Sequence, residues 1–193
     1  MNELTKLIRT LYPVSDEAAN LLNCYARSKS ISKGDTLIVK GEVNSHLYII
    51  RKGLLRFYSI NEEGDKEDTI CFAMEGETIA SLHSYFAGLP AICSIEALSD
   101  SELFEFSKED MEIIFKKSLD LANWARIIAF EKIYALERRY MYIGTGDAFS
   151  RYKSFINMRP AEIIRHVQLR HIASYLKVTP QTLSRIRRRF AKE

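Results

Sequence analysis

The apolar positions of this chain change period twice. Over the first thirty residues they recur at helical spacing: Leu4, Leu7, Ile8 and Leu11 precede Pro13, and Ala18, Leu21 and Leu22 follow Ser15, a good N-cap. From Ile31 to about Phe106 short β-rich runs take over. TLIV, HLYII, LLRFYSI and DTICFAM are each entered through a charged or glycine-containing turn. Gly34, Gly41, Gly53, Gly64 and Gly76 punctuate these runs at intervals of about ten residues, the cadence of an antiparallel sandwich or barrel. ICSIEAL and ELFEF alternate well enough to predict a hairpin turning at Ser99-Asp100.

The helical period returns at Ser107, which precedes Asp110 in an N-capping arrangement with acids in the first turn. No Gly or Pro then interrupts the chain from Ser118 to Ile143. This long helix carries two apolar stripes. One runs Ala122, Ala125/Ala129, Ile133, Leu136, Tyr140, Ile143, and the other Leu121, Trp124, Ile128. A helix lying on one core shows one stripe, so two predict two partners: its own domain and a second copy of the chain. The expected homodimer interface is Leu121, Trp124, Ala125, Ile128, Ala129 and Ile133. Gly144-Thr145-Gly146 ends the helix and is the best hinge candidate. Another helix follows, with Ala148, Tyr152, Phe155 and Ile156 on one side, and Pro160 breaks it. Three parts are expected: a β-rich unit over residues 1–117, the long helix over 118–143, and a C-terminal unit over 144–193.

Charge sharpens that division. The 193 residues carry a net +3, but residues 1–137 hold 15 Lys/Arg against 22 Asp/Glu, a net −7, whereas residues 138–193 hold 13 against 3, a net +10. The second part is expected to meet an anionic partner. The N-terminus lacks a signal-peptide layout, and no apolar run approaches the roughly 20 residues of a membrane helix, so a cytoplasmic protein without membrane attachment is expected. Three scattered cysteines, Cys24, Cys71 and Cys93, support neither a disulfide framework nor a zinc or iron–sulfur site and are expected to be small buried residues. No metal and no cofactor is expected.

The stretch LRHIASYLKVTPQTLSRIRR fits helix-turn-helix geometry. Ala173 is the small residue needed where a second helix crosses, with Ile172 and Leu176 as core around it. Lys177-Val178-Thr179 form the turn. Thr179 is a good N-cap, and Pro180 suits the first helical position because its missing N–H has no intrahelical partner. Leu183, Ile186 and Phe190 fall at i, i+3, i+7 as a buried stripe. Gln181, Arg185 and Arg188 fall on another face, flanked by Thr182 and Ser184. Gln can bond adenine twice and Arg guanine twice, whereas Arg187, Arg188, Arg189 and Lys192 suit phosphates. The expected DNA-binding residues are Thr179, Gln181, Thr182, Ser184, Arg185, Arg187, Arg188 and Arg189. An unstructured basic tail for another anionic partner would need no such division of faces.

The order of parts resembles the cyclic-AMP receptor protein (Crp/Fnr) family of bacterial transcription regulators. The resemblance covers nearly the whole chain and is firmest in KGDTLIVKGEVNSHLYIIRKGLLRFYS and IASYLKVTPQTLSRIRRR. It implies an α+β fold: an N-terminal β jelly-roll of the cyclic-nucleotide-binding type, a long dimerisation helix and a C-terminal winged-helix DNA-binding domain. It implies double-stranded DNA and RNA polymerase as partners and no enzymatic activity. The family often has a wing before the helix-turn-helix, but strand signal is weak between Gly146 and His166, so the wing is expected to be reduced or absent. The family often has Gly in the turn where Lys177 stands.

The effector site departs from the family. Members that bind cyclic nucleotides follow a Gly-acid pair with a Glu for the ribose and, later, Arg-Ser or Arg-Thr for the cyclic phosphate. Counting from Gly76-Glu77, Ser81 stands where the Glu belongs and Ala91-Ile92 where the Arg-Ser belongs. From Glu67 to Ser107 there are eight acids and no Lys or Arg. An anionic phosphate taken out of water needs positive charge or several aimed donors. Arg51, Arg56 or Arg126 would have to reach the site from elsewhere in the fold. The expected effector is therefore an unidentified small molecule rather than a cyclic nucleotide bound in the usual way, with Ser81, His83, Ser84 and Tyr85 as pocket candidates. A cyclic-nucleotide-responsive regulator with an unusual pocket is the alternative. Haem ligation by His46 or His83, and a metal-dependent cupin enzyme built on either, lack the neighbouring ligands those chemistries require.

Overall fold

The computed structural model of the chain describes residues 2–60, 66–144, 146–158 and 161–191, with side chains 142–144, 158 and 161–162 left aside. Two N-terminal helices, α1 (Glu3–Arg9) and α2 (Asp16–Tyr25), precede six strands: β1 (Arg27–Ile31), β2 (Thr36–Ile38), β3 (His46–Lys52), β4 (Leu54–Ile60), β5 (Glu67–Met74) and β6 (Thr78–Ile79). A short α3 (Leu82–Ala87), β7 (Ser94–Ala97) and β8 (Ser101–Ser107) follow. The rest is helical: α4 (Lys108–Lys117), α5 (Leu119–Gly144), α6 (Ala148–Met158), α7 (Ala161–His166), α8 (Leu169–Tyr175) and α9 (Pro180–Phe190). Asn2, Ser15 and Ser107 cap α1, α2 and α4 through their side-chain oxygens, so the predicted caps at Ser15 and Ser107 form.

The strands make two four-stranded sheets, ordered β1-β8-β3-β6 and β2-β7-β4-β5. This jelly-roll arrangement corrects the expected hairpin at Ser99-Asp100. β7 and β8 are consecutive in sequence but lie in different sheets: β8 pairs antiparallel with β1 and β3, and β7 with β2. Alternation of side chains marks a strand but does not name its neighbour.

The first sheet is buried on both faces, which explains why β3 reads as an almost unbroken apolar run. Tyr48, Ile50 and Leu103 point into the sandwich with Ile38, Leu55, Ala73, Ile79 and Ile95. Ile49 and Phe106 point the other way, into a helical layer containing Leu4, Ile8, Ala18, Leu22, Met111, Ile114, Leu121 and Trp124. Asp120 adds a polar tie, accepting a 2.9 Å hydrogen bond from the backbone N–H of Ser15, and its carboxyl pKa falls accordingly. Of the cysteines, Cys71 and Cys93 are half-buried, but Cys24 is exposed, against expectation, because it lies on the outer side of α2.

Helix α5 departs from the expected interface. Leu121 and Trp124 are 0% and 2% exposed in their own core, and Ala125 and Ile128 pack against that core. Leu121 and Trp124 therefore belong to the intramolecular stripe, and Ala125 and Ile128 lie half-buried beside it. Ala129 and Ile133 do lie on the exposed face, beside Phe130, Tyr134, Leu136, Tyr140 and Met141. The two apolar stripes exist, and the expected interface drew residues from both.

The chain divides into two compact units: Met1–Phe57 with Phe72–Glu131, and Tyr58–Cys71 with Lys132–Glu193. The outer part of β4, the start of β5 and the C-terminal part of α5 thus group with α6–α9, and not with the parts expected from sequence. Among the described residues from 146 onward no strand is found.

Gly53, between β3 and β4, has φ +119°, and a Cβ placed there would sit 2.8 Å from the Ser101 Cα. Both backbone conformation and space exclude a side chain. Gly53→Ala is expected to lower the stability of the β unit by about 2 kcal/mol or more, read as a fall in urea midpoint at unchanged slope.

Candidate functional site

In the second unit α8 and α9 form the expected helix-turn-helix. The turn is a Schellman motif: Val178 N–H donates to the Ala173 carbonyl at 3.0 Å, and Lys177 N–H donates to the Ser174 carbonyl at 3.0 Å. Lys177 occupies its left-handed position with φ 54°, where glycine is usual. Ala173 is fully buried, as are Leu183 and, nearly, Ile186. Phe190 closes the stripe edge-on to Tyr152, 5.5 Å between ring centroids. Thr179 caps α9, accepting from the Thr182 N–H at 3.1 Å.

What remains outward is the predicted reading face. Gln181, Arg185 and Arg188 are exposed, with Thr182 and Ser184 half-buried beside them. Arg187 is exposed too. Arg189 is turned elsewhere: its guanidinium lies 4.2 Å from the Phe149 ring centroid, and its charge helps lower the pKa of Asp147, after that carboxylate's hydrogen bonds from Ser150. It therefore braces α9 against α6 and differs from the other two arginines of the run.

Three neighbouring residues of α8 and its turn are held by three other elements, none of them foreseen. Ser174 Oγ accepts from the Thr69 N–H and donates to the Glu67 carbonyl, each at 2.8 Å. Arg139 of α5 stacks over the Tyr175 ring at 5.2 Å. Arg151 of α6 donates through Nε to the Leu176 carbonyl at 2.9 Å and through Nη1 to the Gly146 carbonyl at 2.6 Å. Such partners depend on tertiary approach, and no periodicity or spacing encodes them.

The profile of the cyclic nucleotide-binding domain matches residues 28–118. The chain is 27% identical over 192 residues to the fumarate and nitrate reduction regulatory proteins of Salmonella typhimurium and Escherichia coli, covering 91% of this chain and 73% of theirs. Its fold is similar to FixK2 from Bradyrhizobium japonicum, with TM-score 0.70, 19% identity and 86% and 85% of the two chains covered. It is also similar to a CooA variant from Carboxydothermus hydrogenoformans, with TM-score 0.73, 18% identity and 99% and 85% covered. In this matched domain and in these relatives the chain resembles the Crp/Fnr family. Its relatives in that family are regulators of transcription.

The loop expected to hold an effector is closed upon itself. Ser81 is buried and caps α3, accepting from the Ser84 N–H. Ser84 Oγ accepts from the Asn44 N–H at 2.6 Å, and His83 Nδ1 lies 2.8 Å from the Pro90 carbonyl. Burial first, then Glu112 and Glu109, pushes the Tyr85 hydroxyl up to about 12. Ala91, at the position of the family's phosphate-binding Arg, is buried in the sandwich core, with its N–H donating to Glu42 and its carbonyl accepting from Gly41. The three distant arginines are engaged: Arg51 with Glu3 and Glu102, the 1%-exposed Arg56 with Glu96 at 2.6 Å, and Arg126 with Asn123. The four pocket candidates thus sit together, but their polar groups serve α3 and its neighbours. Among the described residues no group of His, Cys, Asp or Glu is arranged to hold a metal ion, and no helix is long and apolar enough to cross a membrane.

Lys177 gives a direct check of the turn. An L-residue in the left-handed region costs about 1–2 kcal/mol, against roughly 0.5–1 kcal/mol for glycine's extra chain entropy. Lys177→Gly should stabilise the chain by about 0.5 kcal/mol, and Lys177→Val should destabilise it by about 1 kcal/mol or more, in urea titrations.

Proposed function

We propose that this chain is a homodimeric transcription regulator that reads double-stranded DNA through α9. The carrying observation is the division of that helix: Leu183 and Ile186 are buried, while Gln181, Arg185 and Arg188 are exposed together next to a capped N-terminus. Groove-reading helices place base-edge chemistry at their N-terminal turns and charge on the flanks. On this reading Gln181 and Arg185 contact bases, with Thr179, Thr182 and Ser184 beside them, and Arg187 and Arg188 meet phosphates. Arg189 is reassigned to the support of α9. RNA polymerase is the further partner that the family resemblance suggests, and no enzymatic activity is proposed.

The dimer reading rests on the exposed face of α5. Ile133 and Tyr140 are 60% and 73% exposed, in line with Phe130 and Leu136 at helical spacing. We assign the interface to Ala129, Phe130, Ile133, Leu136 and Tyr140, within a division into a sensor (1–117), a dimerisation helix (118–143) and a DNA-binding part (144–193). The effector, if a cyclic phosphate, would meet a loop whose own residues supply no cation, whose neighbouring Lys108 ammonium donates to the Phe86 carbonyl at 3.2 Å, and which is closed by its own hydrogen bonds. A small molecule without an anionic group suits it better, which is the basis for reading the chain as unresponsive to cyclic nucleotides.

Selection from a random duplex library tests the main reading. The expected product is a pseudo-palindrome with half-sites about 10 bp apart, bound more weakly as salt rises. Enrichment of no sequence would sink it. Arg185→Ala is expected to cost about 1–3 kcal/mol on the selected duplex and to relax one base position. Arg188→Ala should weaken all duplexes alike and reduce the salt slope by about 0.9. Ile133→Glu should leave a folded monomer in sedimentation, with operator affinity lost. Titration calorimetry of the dimer with cyclic AMP, cyclic GMP and cyclic di-GMP is expected to give no heat at micromolar ligand, and binding there would overturn the effector reading.

A further inference from the structure

We propose that Arg151 is a positioning residue for DNA reading. It joins the connection after α5 to the helix-turn-helix turn, and so sets the direction in which α9 presents Gln181 and Arg185. The proposal rests on the reading of α9 as a groove-facing helix.

The geometry assigns this role through the acceptors that Arg151 uses. The last carbonyls of a helix have no intrahelical donors, and a cation there also faces the negative end of the helix dipole. Leu176 is the C-cap of α8, and its carbonyl receives Arg151 Nε at 2.9 Å, while Nη2 lies 3.5 Å from the Lys177 carbonyl. Arg151 thus caps α8 from another helix, at the turn whose left-handed residue is Lys177 rather than glycine. The same guanidinium donates through Nη1 to Gly146, the residue that enters α6. Asp147 fixes the start of that helix, its carboxylate accepting from the Ser150 N–H at 2.7 Å and its carbonyl from the Arg151 N–H at 2.9 Å. A planar fork with several donors can hold two carbonyls on different segments at fixed separation; a lysine can direct its point charge at one. With these acceptors occupied, the guanidinium is turned inward rather than toward a phosphate.

Base contacts made in pairs tolerate little error in helix direction, whereas phosphate contacts tolerate more. Arg151→Gln and Arg151→Lys should therefore harm preference more than general affinity. Amide hydrogen exchange on the free dimer comes first. Both variants should remain folded by circular dichroism, with the Lys177 and Val178 amides exchanging at least tenfold faster and the Phe155 amide unchanged. On DNA, the ratio of affinities for the selected duplex and a scrambled one should fall about tenfold or more, with the salt slope unchanged. Arg188→Gln is the opposite control: slope reduced, ratio kept. Arg151→Gln that reduces the slope by about one and keeps the ratio would make Arg151 a phosphate contact and overturn the proposal. Unchanged turn amides in both variants would overturn it as well. A wild-type chain with no duplex preference overturns the groove reading, and the positioning role with it. Wild-type preference that both variants retain overturns the positioning role alone.

Discussion

The burial of Leu121 and Trp124 among α1, α2 and α4 governs how the rest of the chain can be used. It ties the start of α5 to the face of the β3 sheet that the sandwich does not cover. A helix is rigid over this length, and 26 residues extend about 39 Å. Past Ile128 the helix leaves the cover of that core, yet its sequence remains apolar through Phe130, Ile133, Leu136 and Tyr140. Truncating Trp124 to alanine would remove a buried side chain of the kind worth about 3–5 kcal/mol. Its indole N–H has no acceptor among the described residues, so its contribution is packing area alone.

The helix-turn-helix was legible because its constraints are local. A cap, a proline at the first position, a small residue and a stripe with period 3.6 all fall within some twenty neighbouring residues, and each has a reason independent of the others. The strands were legible for the same reason, but their partners were not. Pairing of β8 with β1 and β3, rather than with β7, is a non-local choice that alternation cannot express. The long helix failed in between. Two apolar stripes were visible, and which one faced the protein's own core was not, since Leu121 and Ile133 read alike until α1 and α2 are seen to cover one of them. Arg151 and Ser174 left no trace at all: a donor on a helix surface looks solvated until another element's carbonyl arrives.

Electrostatics separates the β unit from α9 by what surrounds each charge. The acids of the β unit that lie near cations are paired, Lys29 with Glu105, Arg51 with Glu3 and Glu102, Arg56 with Glu96. Exposed pairs of this kind contribute little, generally below 1 kcal/mol, but the buried Arg56 cannot lose its partner without a larger cost. They also consume the cations that a phosphate would require. On α9 the reverse holds: Arg185, Arg187 and Arg188 have no carboxylate against them in the structure's ion pairs among the described residues, so their charge acts outward.

How α9 comes to point anywhere in particular follows from its neighbours. It packs on α8 and α6, and so inherits its direction from them. α8 in turn is gripped at successive residues by different parts of the chain. Ser174 is fixed to the β5 backbone, Tyr175 lies under Arg139 of α5, and the Leu176 carbonyl receives Arg151 of α6. Each grip is modest, a hydrogen bond or a cation stacked on a ring, on the order of 1 kcal/mol. Their value lies in direction rather than depth. Three weak ties along one short helix fix its rotation as well as its place, which a single strong tie cannot do. Two of them begin on segments that leave the β unit, the β5 strand and the α5 helix. The direction of α9 thus depends on the seven residues of α8.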